Sequence, residues 1–61
     1  MNESIEIQFL GSDRHWRRIQ GGVQNRDQSI ARALTVVKRM HPESRVRAVG
    51  QQSGRVYDMI T

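Results

Sequence analysis

One stretch of this 61-residue chain repeats its apolar residues at helical spacing, and that limits every fold open to it. Ile30, Ala33, Leu34, Val37 and Met40 recur three and four residues apart between about Arg26 and Met40, while Gln28, Arg32, Thr35 and Arg39 point elsewhere. A single apolar stripe gives the helix one side to bury. Asn25 followed by Gln28 resembles a capping box, and Asp27 falls near the positive end of the helix. Lys38 and Arg39 suit the negative end, and Pro42 stops the helix by biasing His41 away from helical geometry.

The rest of the chain reads at period two. Ile5, Ile7 and Phe9 alternate with Glu6, Gln8 and Leu10, the pattern of a half-buried strand. Gly11-Ser12-Asp13 is turn chemistry and His15 to Gln20 a returning strand, ended by Gly21-Gly22, so residues 5–20 are expected as a β-hairpin. Arg45 to Val49 and Arg55 to Ile60 are two further β-like runs, joined by Gly50-Gln51-Gln52-Ser53-Gly54, whose glycines permit the positive φ angles of a hairpin loop. The expected fold is α+β: order ββαββ, a four-stranded, mostly antiparallel sheet with one helix packed on one face. Residues 1–61 form a single domain, and strand order stays open.

One helix covers one face of such a sheet. Ile5, Ile7, Phe9, Ile19, Val46, Ala48, Val56 and Ile60 are the natural inward set. The opposite face then receives Glu6, Gln8, Leu10, Trp16, Arg18, Gln20, Arg45, Arg47, Val49, Arg55, Tyr57 and Met59. Arg17 and Asp58 fall inward in this register, which strand ends, a mutual pair or a bulge would each accommodate.

Composition narrows the classes of function. A chain this short buries only about 60% of its unfolded surface, so self-association is open from the start. It has no cysteine, which removes disulfides and thiolate metal sites. His15 and His41 lie in different elements without the spaced carboxylates a metal would need. No serine has a recognisable base, and the loop Gly50 to Gly54 lacks the lysine and hydroxyl of a phosphate-binding loop. These absences point to a protein that is not an enzyme and uses no cofactor. The opening Met1-Asn2-Glu3-Ser4 is polar, and no apolar run reaches the length of a signal h-region or a membrane span, so a cytoplasmic protein without membrane contact is expected.

Ten basic residues outnumber six acidic ones for a net charge of +4, and all the basic residues but Lys38 are arginine. Arginine presents a planar fork to phosphates and guanine edges that lysine lacks, although a GC-rich genome produces the same ratio. The candidate binding residues are Trp16, Arg18, Arg45, Arg47, Arg55 and Tyr57. Aromatics on a sheet can stack unpaired bases while guanidinium groups hold phosphates, which points to nucleic acid as the partner. Leu10, Trp16, Val49, Tyr57 and Met59 could equally form the centre of a homodimer with arginines as its rim, or dock on a larger protein. The cluster Arg14-His15-Trp16-Arg17-Arg18 could enter a DNA groove as a ribbon; the ordinary reading of Arg14 and Arg17 is a charged edge strand that resists aggregation.

Two resemblances bear on this. Ile5-Glu6-Ile7-Gln8-Phe9, His15-Trp16-Arg17-Arg18-Ile19-Gln20-Gly21-Gly22 and Asn25-Arg26-Asp27-Gln28-Ser29-Ile30-Ala31 together resemble the arm-binding domain of phage-type tyrosine integrases. That resemblance implies a sheet inserted into DNA with a helix behind it. The chain departs from the pattern in placing two strands before the helix and two after. Over its whole length it is similar to small bacterial ββαββ domains of unknown function, through Trp16, Ile30-Ala31-Arg32-Ala33 and Gly54-Arg55-Val56. This second likeness implies the fold and assigns no activity.

Overall fold

The computed structural model describes residues 3–61; Met1 and Asn2, half of the polar opening, lie outside the described residues. The chain forms β1 (Ile5–Leu10), β2 (Trp16–Val23), α1 (Asp27–Met40), β3 (Val46–Gly50) and β4 (Val56–Ile60). The strands make one antiparallel sheet in the order β2-β1-β3-β4. The ββαββ order and the α+β class expected from periodicity are therefore present. Because β2 and β3 both run antiparallel to β1, they are parallel to each other, and a tight turn cannot join them. The helix makes that crossover and packs on one face of the sheet.

The stripe of α1 behaves as its spacing requires. Ile30, Ala33, Leu34 and Val37 are buried against Ile5 and Ile7 of β1, Val46 and Ala48 of β3, and Val23. Ile5, Ile7, Leu34, Val37 and Val46 are the largest fully buried side chains. Each contributes about 1.5–3 kcal/mol of gross transfer free energy, so these few positions dominate the stability of so short a chain. Met40 departs from the expected stripe: it is 59% exposed in the last turn, beyond the sheet's cover. The capping box does not form either. The N-cap is Arg26, without a side-chain cap bond, although Asp27 does occupy the first turn and Lys38 and Arg39 the last.

Two strands depart from simple alternation. β2 does not end at Gly21-Gly22 but continues to Val23, whose side chain joins the core. Its pairing with β1 is irregular twice, running Gln8 to Arg18, Ile7 to Gln20 and Ile5 to Val23, so extra residues on β2 are accommodated between regular pairs. Ile19 still packs against the core as expected. On β4, Val56 faces Val49 and Asp58 faces Ala48, which leaves Tyr57 as the extra residue of a bulge. The bulge reverses two assignments: Val56 is exposed opposite Val49 on the helix-free side, and Tyr57 packs against the core cluster. Asp58 is thus accommodated beside the bulge, while Arg17 sits near the start of β2, paired with Asp13.

In the loop between β3 and β4, Gly54 takes a positive φ of 74°. Gly50 does not need that freedom; its role is steric.

Candidate functional site

The helix-free face resolves into cross-strand rows. Leu10 of β1 lies opposite Trp16 of β2 and donates its N–H to the Arg45 carbonyl, so Trp16, Leu10 and Arg45 form one row. Gln8 lies opposite Arg18 on one side and Arg47 on the other, and Arg47 opposite Met59, which makes the next row Arg18, Gln8, Arg47, Met59. The third is Glu6, Val49, Val56. Four of the six expected residues, Trp16, Arg18, Arg45 and Arg47, are thus brought together at one end of the open face.

Within this patch Arg47 is held from two sides. Its guanidinium carbon lies 4.0 Å from the Trp16 ring centroid, and its Nε donates to Gln8 Oε1 at 2.7 Å. Gln8 is oriented in turn by donating Nε2 to Glu6 Oε2 at 2.5 Å. Strands lie about 4.8 Å apart, so Trp16 and Arg47 bridge roughly 10 Å across β1 to meet. Both side chains are half-buried, whereas Arg18 and Arg45 are exposed. Trp16 is therefore not a bare stacking platform, because Arg47 occupies its neighbourhood.

The arginines of the patch are not held in close ion pairs among the described residues. Among the described residues the one ion pair is Arg17 to Asp13, at 2.5 Å on the exposed β1–β2 turn, and such surface pairs are worth little. The His15 N–H and then the Arg17 charge hold the Asp13 carboxyl below its usual range. Among the described residues Arg18, Arg45 and Arg47 form no ion pair, although Glu43 lines the same surface hollow as Arg45; Glu6, on their face, is bonded to Gln8.

Arg55 and Tyr57 belong elsewhere. The bulge takes Tyr57 to the helix side of the sheet, where its hydroxyl donates to Glu3 Oε2 at 2.8 Å, and Arg55 lies 5.0 Å from the Tyr57 ring centroid. Their expected place beside Trp16 and Arg47 is corrected accordingly. Glu3 is the centre of this second cluster. Its carboxylate accepts the N–H groups of Gln52 and Ser53, both at 2.9 Å, and the Ser53 hydroxyl at 2.6 Å. These bonds, led by the Ser53 hydroxyl and N–H and followed by Tyr57, lower the Glu3 pKa to about 2. Periodicity offers no reason to single out Glu3. The one available sign is Gly50 at the end of a strand, since glycine there often marks a close approach by another group.

The histidines take separate structural places. His41 stacks on Phe9 with ring centroids 4.0 Å apart, and His15 is exposed in the β1–β2 turn. Among the described residues no group of three or more His, Cys, Asp or Glu side chains is placed to hold a metal ion, and no helix is long and apolar enough to cross a membrane. No protein-family model matches the chain, and neither the search of curated proteins nor that of solved structures returned a match.

Proposed function

We propose that this is a small, cytoplasmic, non-enzymatic binding protein that contacts nucleic acid through Trp16, Arg18, Arg45 and Arg47. The observation that supports the reading is the concentration around one tryptophan, on the face the helix leaves open, of three arginines that form no ion pair among the described residues. Arginines outside any close ion pair remain available to phosphate, and an arginine already fixed by a ring and an amide loses less conformational freedom on binding. Arg55 and Tyr57, on the other side of the sheet, are outside this contact.

Trp16 is the only tryptophan, so its fluorescence reports on the patch directly. Titration with mixed single- and double-stranded oligonucleotides should change that fluorescence at low salt. The response should fade as salt rises, because counterion release drives phosphate binding, and light scattering should show a monomer throughout. No response at low salt, together with a dimeric mass, overturns the proposal.

A second reading draws on the β3–β4 side of the same face, next to Arg47. Val56, opposite the buried Val49, and Met59, opposite Arg47, are 42% and 39% exposed. This apolar strip suits a protein partner or a second copy of the chain. A mass that rises with concentration, and falls back in a Met59→Arg variant, would favour it.

A further inference from the structure

We infer that the ligand of this patch is single-stranded nucleic acid, with one unpaired base stacked on the outer plane of the Arg47 guanidinium; the inference rests on the proposed nucleic-acid reading. Arg47 lies against Trp16 at 4.0 Å and is anchored through Nε by Gln8, so the group is fixed both in position and against rotation. Among the described residues no second ring stacks on it. A guanidinium is flat and weakly hydrated, and it stacks on π-systems through either plane. Trp16 takes one side of the group and Arg47 is only half-buried, so the part of the guanidinium that stays accessible is a surface for something equally flat.

Unpaired bases offer such a surface, whereas a duplex keeps its base planes stacked inside and presents phosphates and groove edges. The flanking arginines complete the arrangement. Arg18 lies two strands from Arg47 in the same row, roughly 10 Å away at the backbone, and Arg45 lies two residues along β3. Both are exposed and free to follow the phosphates on either side of the stacked base. Stacking tolerates any base, since every base has a π-face, so the contact should show little sequence preference.

The test is fluorescence anisotropy with labelled mixed-sequence oligonucleotides of about 12 nucleotides, in deoxyribose and ribose forms, each compared with its own duplex at one salt concentration. The wild-type protein, Arg47→Lys and Arg18→Lys are measured side by side, with thermal melting to verify that all three fold. Single strands should bind roughly tenfold more tightly than duplexes. Arg47→Lys, which keeps the charge and loses the plane, should weaken single-strand binding by roughly tenfold, while Arg18→Lys stays within about twofold of wild type. Equal affinity for single strands and duplexes, or equal effects of the two lysine variants, overturns the stacking inference and leaves phosphate binding standing. Failure of every oligonucleotide to bind overturns the inference and the broader reading together.

Discussion

The Glu3 carboxylate occupies the space that a Cβ on Gly50 would require. Glu3 can therefore reach the N–H groups of the following loop only because position 50 has no side chain. Gly50→Ala is expected to destabilise the protein, because the Glu3 carboxylate must swing away from the new methyl and give up its bonds to Gln52, Ser53 and Tyr57. In a domain this small that lowers the melting temperature by about 4–8 °C per kcal/mol. The cause is tested by a double-mutant cycle: with Glu3→Ala already present, Gly50→Ala should cost distinctly less. Equal costs in both backgrounds would assign the penalty to the backbone.

The same carboxylate sets a pH dependence. Its pKa falls from 4.5 to about 2 in the folded protein, so the folded state binds its proton less readily than the unfolded state does. Its stabilising contribution is therefore complete above the unfolded value of 4.5 and disappears as pH drops through about 2. The lowered Asp13 acts with the same sign. Melting temperatures of wild type and Glu3→Gln should differ at neutral pH and converge in that acidic window. Curves that keep a constant separation down to the acid limit would show that the ionised form of Glu3 is not preferentially stabilised in the folded protein.

Arg14 carries the one non-glycine positive φ among the described residues, at 65°. It follows a turn closed by the Arg14 N–H to the Gly11 carbonyl and by the Gly11 N–H to the His15 carbonyl, both 2.9 Å, a three-residue hairpin loop whose last residue is left-handed. A side chain there costs about 1–2 kcal/mol, and glycine returns roughly half of any gain through its looser unfolded chain. Arg14→Gly should accordingly stabilise the protein by about 0.5–1 kcal/mol in denaturant unfolding. A destabilised variant would mean that the Arg14 side chain makes a compensating contact.

A feature of this fold is legible in the sequence when it repeats locally. Ile5, Ile7 and Phe9, and the stripe Ile30, Ala33, Leu34 and Val37, announce themselves by spacing, and from them follow the strand, the helix and the existence of an uncovered face. A bulge has no period. The extra residue at Tyr57 exchanges the faces of Val56 and Tyr57 without altering composition, so simple alternation puts Arg55 and Tyr57 on the wrong side. Val23 escapes notice for a similar reason, since glycines at 21 and 22 look like a stop but lie within an irregular strand. The meeting of Trp16 with Arg47 depends on strand order. Only the placement of β1 between β2 and β3 makes them neighbours, and no local pattern encodes that.

The division of the arginines between two faces separates the proposed phosphate contacts from fold contacts. Arg18 and Arg45 flank the Arg47–Trp16 stack, whereas Arg55 lies over Tyr57 on the helix side. Arg18→Ala and Arg45→Ala should each weaken oligonucleotide binding at low salt. Each should also reduce the slope of log affinity against log salt by about 0.7 for single strands, the amount expected when one phosphate is no longer neutralised. Arg55→Ala should leave both affinity and slope within error, despite removing the same charge from a protein of net charge +4. That contrast separates a located contact from general attraction to a basic protein, which would make the three substitutions equivalent. Slopes that fall equally in all three variants would remove the open face from the binding site, because the total charge would then account for the whole effect.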